Sequence, residues 1–171
     1  MWSISTIVKY VVFVTANLLL TIIDQAYDRQ SWHGTNLRGS LRRVSMKEAR
    51  WRPGRNRHNI WETVVHCAYW KYAVRRRLTG EKRGSFPLKG SNWFQRPEEG
   101  TDAAWRADIQ LLDETHRSLR SVIETLDPGH IERAAPGGKT NPLTLITGMA
   151  AHDLYHAGQI QLLKRLAKKE Q

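Results

Sequence analysis

Near the C-terminus, Leu145, Gly148, Met149, His152, His156, Gln159, Ile160 and Leu163 recur at the i, i+3, i+4, i+7 spacing of a single helix face. Such a row turns toward a core, so the chain must accommodate two imidazoles and a carboxamide among aliphatic side chains. Unpaired polar groups are costly there. Residues four apart lie one turn above each other, so His152 and His156 can share a partner. A metal ion is one candidate, because neutral imidazole is the commonest protein metal ligand. A buried, hydrogen-bonded histidine pair is the other. Asp153 rather than glutamate follows His152, so the HExxH pattern of zinc peptidases, with its general base, is absent.

The rest of the chain supplies further helices. The first is expected from about Ala16 to Gln30, ended by the Ser31-Trp32-His33-Gly34 turn, with a short helical stretch over Asn36–Val44. Ser45-Met46-Lys47-Glu48 matches a capping box, and Pro53-Gly54 breaks the chain. The second long helix spans about Asn59 to Leu78, stopped by Gly80, and is apolar over much of its circumference. Residues 81–100 read as a long loop of the kind that borders a site. Thr101 caps a third helix whose inner face is Trp105, Ile109, Leu112, His116, Leu119, Ile123 and Leu126, closed by Pro128-Gly129. Residues 129–141, including Pro136-Gly137-Gly138, form a second loop. The fourth helix opens at Asn141-Pro142 and runs to about Ala167. No β-hairpin and no internal repeat is evident. The expected fold is all-α, a four-helix bundle.

At 171 residues the chain forms one domain, expected over 16–168, with residues 1–15 as an extension. The single cysteine, Cys67, excludes an internal disulfide and reads as core. Net charge is +11, with basic residues concentrated between Arg38 and Arg83, including Arg75-Arg76-Arg77. The favoured reading is a solvated basic face with cations near a helix C-terminus; the field also suits an anionic substrate, a nucleic acid or an anionic membrane. The absence of helix-turn-helix, zinc-finger and RNP signatures argues against nucleic acid. Ile4 to Ile23 is nearly as long and apolar as a membrane span, and Val14-Thr15-Ala16 resembles a signal-peptidase site. Lys9, however, falls inside the apolar run rather than before it. A cytoplasmic protein is expected, with anchoring or export through residues 1–23 as the alternative.

Ser31-Trp32-His33-Gly34, His58-Asn59-Ile60-Trp61-Glu62, His66 through Gly80, and above all Ala151-His152-Asp153-Leu154-Tyr155-His156-Ala157-Gly158-Gln159-Ile160 together resemble the DinB-like superfamily. The likeness covers about residues 16–168. It implies an up-down-down-up bundle with a three-histidine metal site, and places the ligands at His66, His152 and His156. Spacing alone singles out only the last two and leaves His33, His58 and His116 open beside His66. His66 shares a face with Tyr69 and Trp70, which become pocket candidates. Gln159 is a candidate to orient a ligand ring, and Asp153 is expected on the helix flank. His33 and His58 are placed at the mouth of the site, or alternatively as cap or surface residues.

Three neutral histidines leave coordination positions open, as in catalytic sites. Zinc is the first expectation for the ion, then nickel, iron or manganese. The resemblance implies a metal-dependent enzyme, of hydrolase or thiol S-transferase type, that activates water or a low-molecular-weight thiol against a small-molecule substrate. Pairing of bundle faces into a homodimer is a further expectation. The competing class is a stress-associated, non-enzymatic binding protein whose basic surface contacts nucleic acid or membrane.

Overall fold

The computed structural model describes residues 4–134 and 139–169, with the backbone alone for 4–15 and 128. Among the described residues, six helices follow one another: α1 (Ile4–Tyr27), α2 (Leu37–Ser40), α3 (Met46–Arg50), α4 (Ile60–Thr79), α5 (Asp102–Glu124) and α6 (Pro142–Lys169), with a short 3-10 turn at Pro128–His130. There is no strand among the described residues. Contacts run from α1 to α6, α6 to α4, α4 to α5 and α5 back to α1, so the four long helices close a ring.

Local chemistry fixes most of the boundaries. Asn59, extended at the head of α4, accepts the Glu62 N–H through its side chain, and Gly80 ends the helix in the left-handed region at φ 74°. Thr101 caps α5 by accepting the Ala104 N–H, and Asn141 caps α6 by accepting the Thr144 N–H. Ser45 and Glu48 form the expected capping box at α3.

The first helix differs from expectation. It begins at Ile4 rather than near Ala16, and it ends at Tyr27. No Gly or Pro falls between residues 4 and 16, so no strong helix breaker stops the helix there. The roles expected of 1–15 fall where no side chain is described, and the Pro136-Gly137-Gly138 turn lies outside the described residues. Among the described residues, no helix is long and apolar enough to cross a membrane.

The core has two apolar clusters. One gathers Ile60, Trp61, Val64, Trp105, Leu112 and Ile160; the other Leu19, Ile23, Val74, Leu119, Ile123 and Ile146. Along α4, α5 and α6 the change from one cluster to the other falls at Lys71, His116 and Asp153, so a polar layer crosses the interior. Lys71 and Asp153 form an ion pair with both side chains 0% exposed. Tyr27 stacks on His116 with ring centroids 3.7 Å apart and lies 4.7 Å from Lys71 Nζ. Its hydroxyl donates to Asp113, which also accepts from Arg38 Nε at 2.9 Å.

Asp153 therefore sits inside, not on the flank. The buried row of α6 runs through Ile146, Met149, Ala150, Asp153, His156, Ala157 and Ile160, rotated slightly from the row the apolar pattern suggests. A hydropathy pattern assigns a carboxylate outward because it cannot register that Lys71 waits as its partner.

Candidate metal centre

α4 and α6 touch along the face that carries the histidines. His66 lies two turns into α4, while His152 and His156 sit one turn apart on α6. His152 Nε2 is 3.1 Å from His66 Nε2 and 3.1 Å from His156 Nε2, so three ring nitrogens converge on one point. His66 and His156 are buried and His152 is half-buried.

The outer nitrogens are clamped. His66 Nδ1 donates to the Asn92 carbonyl at 2.9 Å, and His156 Nδ1 donates to Gln159 Oε1 at 2.7 Å. Those bonds set both rings with the Nε2 lone pair facing inward. A proton on His152 Nε2 can satisfy only one of its two neighbours, which leaves the lone pair of the other without a donor. His152 Nδ1, meanwhile, is buried with no hydrogen-bond partner. One cation shared by all three Nε2 atoms removes that conflict. Two nitrogens each ~2.0–2.1 Å from one zinc ion stand about 2.9–3.4 Å apart, so the observed spacing fits. An all-imidazole donor set suits zinc, copper, iron or nickel.

Burial pushes all three imidazoles toward the neutral, ligating form. His66 is lowered to about 4, against the raising effect of the Asn92 carbonyl. His152 is lowered to about 3 by burial and then by the charges of His156, His66 and Lys71. Burial also lowers His156, partly offset by Gln159.

Loop 81–100 closes one side. Trp93 is sandwiched between His58 (centroids 3.6 Å apart, 4° between planes) and His66 (3.8 Å, 12°). His58 Nδ1 lies 3.1 Å from Oε2 of the buried Glu62, which also receives Arg52 through two bonds of 2.6 and 2.9 Å. Burial works against the Glu62 charge, yet these partners hold its carboxyl below the usual range. His58 thus stands at the edge of the site, one ring removed from the triad. Asn92, with φ 64°, uses its side chain as well, accepting from Trp70 Nε1 at 3.0 Å.

The structure brings together His66, His152, His156, Gln159, Trp70 and, through Trp93, His58. Trp70 stands 6.3 Å from both His66 and His152. Tyr69 packs instead on Phe86 and Phe94. His33 is exposed in the turn after α1, with Ser31 as its contact. His116 belongs to the polar layer, where burial and then Lys71 and Arg120 lower it to about 2. Asn92 and Trp93 were not foreseen. The only sequence signal was an aromatic pair, Trp93-Phe94, inside a loop otherwise rich in Gly, Ser and Pro.

A family model described as the DinB superfamily matches residues 29–160. The chain belongs to the DinB superfamily. The match spans every member of the histidine cluster, the clamping Gln159 and the loop that carries Asn92. Neither a curated protein nor a solved structure matches the chain. For this DinB superfamily member, a buried three-histidine group that could hold a divalent ion is therefore a property of its own geometry.

Proposed function

We propose that the protein is a metal-dependent enzyme whose divalent ion, zinc first, is held by His66, His152 and His156 and activates water or a low-molecular-weight thiol toward an electrophilic small molecule. The observation that carries this reading is the convergence of three Nε2 atoms, two of them aimed by acceptors on the far side of the ring. When bound, such an ion lowers the pKa of water or a thiol and polarises an electrophile.

The chain's own side chains support an external nucleophile. Cys67 is fully buried, and burial raises its thiol well above the ordinary value, so it is no source of thiolate. Asp153 is paired with Lys71, and Glu62 is engaged by Arg52 and His58, so neither carboxylate is available as a base. Trp93 covers the His66 ring and keeps bulk water from that side of the site.

Elemental analysis of the purified protein beside His156→Ala tests the proposal. About one equivalent of transition metal in the parent and none in the variant is expected. A metal-free parent that fails to take up added zinc or nickel refutes it. Zinc-loaded and chelated protein are then compared for consumption of L-cysteine with 1-chloro-2,4-dinitrobenzene and for ester hydrolysis, which separates the thiol from the water reaction.

A further inference from the structure

Beside the triad, α4 and the first half of the loop enclose a half-open cleft of about 890 Å³. Arg76, Arg77, Arg83 and Lys89 line it, and no Asp or Glu does. The acid nearest in sequence, Glu81, is engaged elsewhere. Its carboxylate takes two bonds from Arg75, at 2.5 and 2.8 Å, and its backbone carbonyl accepts from Arg76 at 2.9 Å. Among the described residues, Arg83 and Lys89 have no ion-pair or hydrogen-bond partner. Four like charges around a concave, low-dielectric wall focus a positive potential into the space between them.

Aromatic rings make up much of the remaining wall. Tyr69, Trp70 and Phe86 contribute rings, and the Arg77 guanidinium stands 5.7 Å from the Trp70 centroid. The volume falls within the ~300–1,000 Å³ typical of small-molecule sites. Two residues belong to both cleft and triad. Trp70 faces the cleft and also His66 and His152, while Asn92 lines the cleft and holds His66 through its carbonyl.

We infer that this cleft binds a small organic anion, a carboxylate or phosphate carried on a planar apolar body, whose far end reaches the triad past Trp70. The inference rests on the triad as reactive centre for its functional meaning, whereas anion binding itself requires no metal.

The test follows the Trp70 indole N–H, which donates to Asn92, in protein carrying 15N-labelled tryptophan; Trp70→Phe assigns the resonance. Benzoate, phenyl phosphate and the neutral benzamide are titrated into chelated protein and again after zinc loading. Benzoate or phenyl phosphate is expected to shift the resonance saturably in both forms, with benzamide at least about tenfold weaker. The tighter of the two anions identifies the headgroup. Arg83→Gln, at an exposed position, is expected to weaken anion binding by about tenfold, and the equally exposed Arg106→Gln on α5 to leave it unchanged. Equal binding of benzamide and benzoate, equal effects of the two arginine variants, or no shift at all overturns the inference. So does loss of binding in His156→Ala with retention in Arg83→Gln, which would put the anion on the triad. Failure of the metal reading is read separately from zinc uptake and leaves the chelated titration standing.

Discussion

Replacing Lys71 by methionine is expected to destabilise the fold strongly. Both members of the Lys71–Asp153 pair are completely buried; Lys71 bonds Asp153 Oδ2, and Oδ1 has no hydrogen-bond partner. Removing the lysine leaves the buried Asp153 carboxyl without its counter-charge, a loss of about 3–5 kcal/mol for a broken buried pair. For a domain of this size that lowers the melting temperature by about 6–20 °C. The loss should also depend on pH. Burial raises the Asp153 carboxyl even with Lys71 present, and without the lysine only the raising influence remains. The folded variant then keeps a proton that the unfolded chain releases near ~4, so its stability falls as pH rises through the folded value. The deficit is therefore smaller at acidic pH than at pH 8. Urea denaturation of chelated protein measures it, with Lys71→Met, Asp153→Leu and the double variant compared. The double variant should recover most of the loss, because two apolar side chains pack without a stranded charge. A pH-independent loss below about 1 kcal/mol, or a double variant no better than the singles, would refute the assignment of a buried charge pair.

Gln159→Leu removes the acceptor of His156 Nδ1 and is expected to weaken zinc binding by about 10–100-fold with the fold intact; an unchanged Kd would show that Gln159 does not aim the ring. Because burial lowers His66 to about 4 and His152 to about 3, and lowers His156 as well, protons compete with the metal at His66 and His152 only at strongly acidic pH. Zinc affinity at pH 5.5 should stay within about tenfold of its pH 7.5 value, where three ordinary imidazoles would lose about a thousandfold; competition against a fluorescent chelator decides between the two. Gly100→Ala places a Cβ 2.2 Å from the Trp61 ring, which is held by its bond to Asp108 and by its edge contact with Trp105. A cost of about 1–3 kcal/mol is expected in thermal unfolding, and a neutral outcome would mean that the Trp61 ring can shift.

The caps Thr101 and Asn141 were legible in the sequence because a cap is a local act between one side chain and the next turn's backbone. The pair His152 and His156 was legible for a similar reason, since helical spacing alone puts them together. His66 became legible through family likeness, because nothing local distinguishes it from the other histidines. Lys71 and Asp153 were not legible, since each is a charge whose burial makes sense only with the other, 82 residues away. Asn92 escaped because its contribution to His66 is a backbone carbonyl, which every residue type possesses.

A site aimed by a backbone carbonyl can drift in sequence. The group that aims His66 survives any side-chain substitution, so for that role selection has no side-chain identity to preserve; the Asn92 amide counts separately, as the acceptor of Trp70 Nε1. What position 92 must retain is tolerance for a left-handed backbone at φ 64°, which Asn and Gly provide most readily. The loop around it is thus free to change composition, and with it the charges and rings it offers to the cleft, while the aim of the histidine stays fixed.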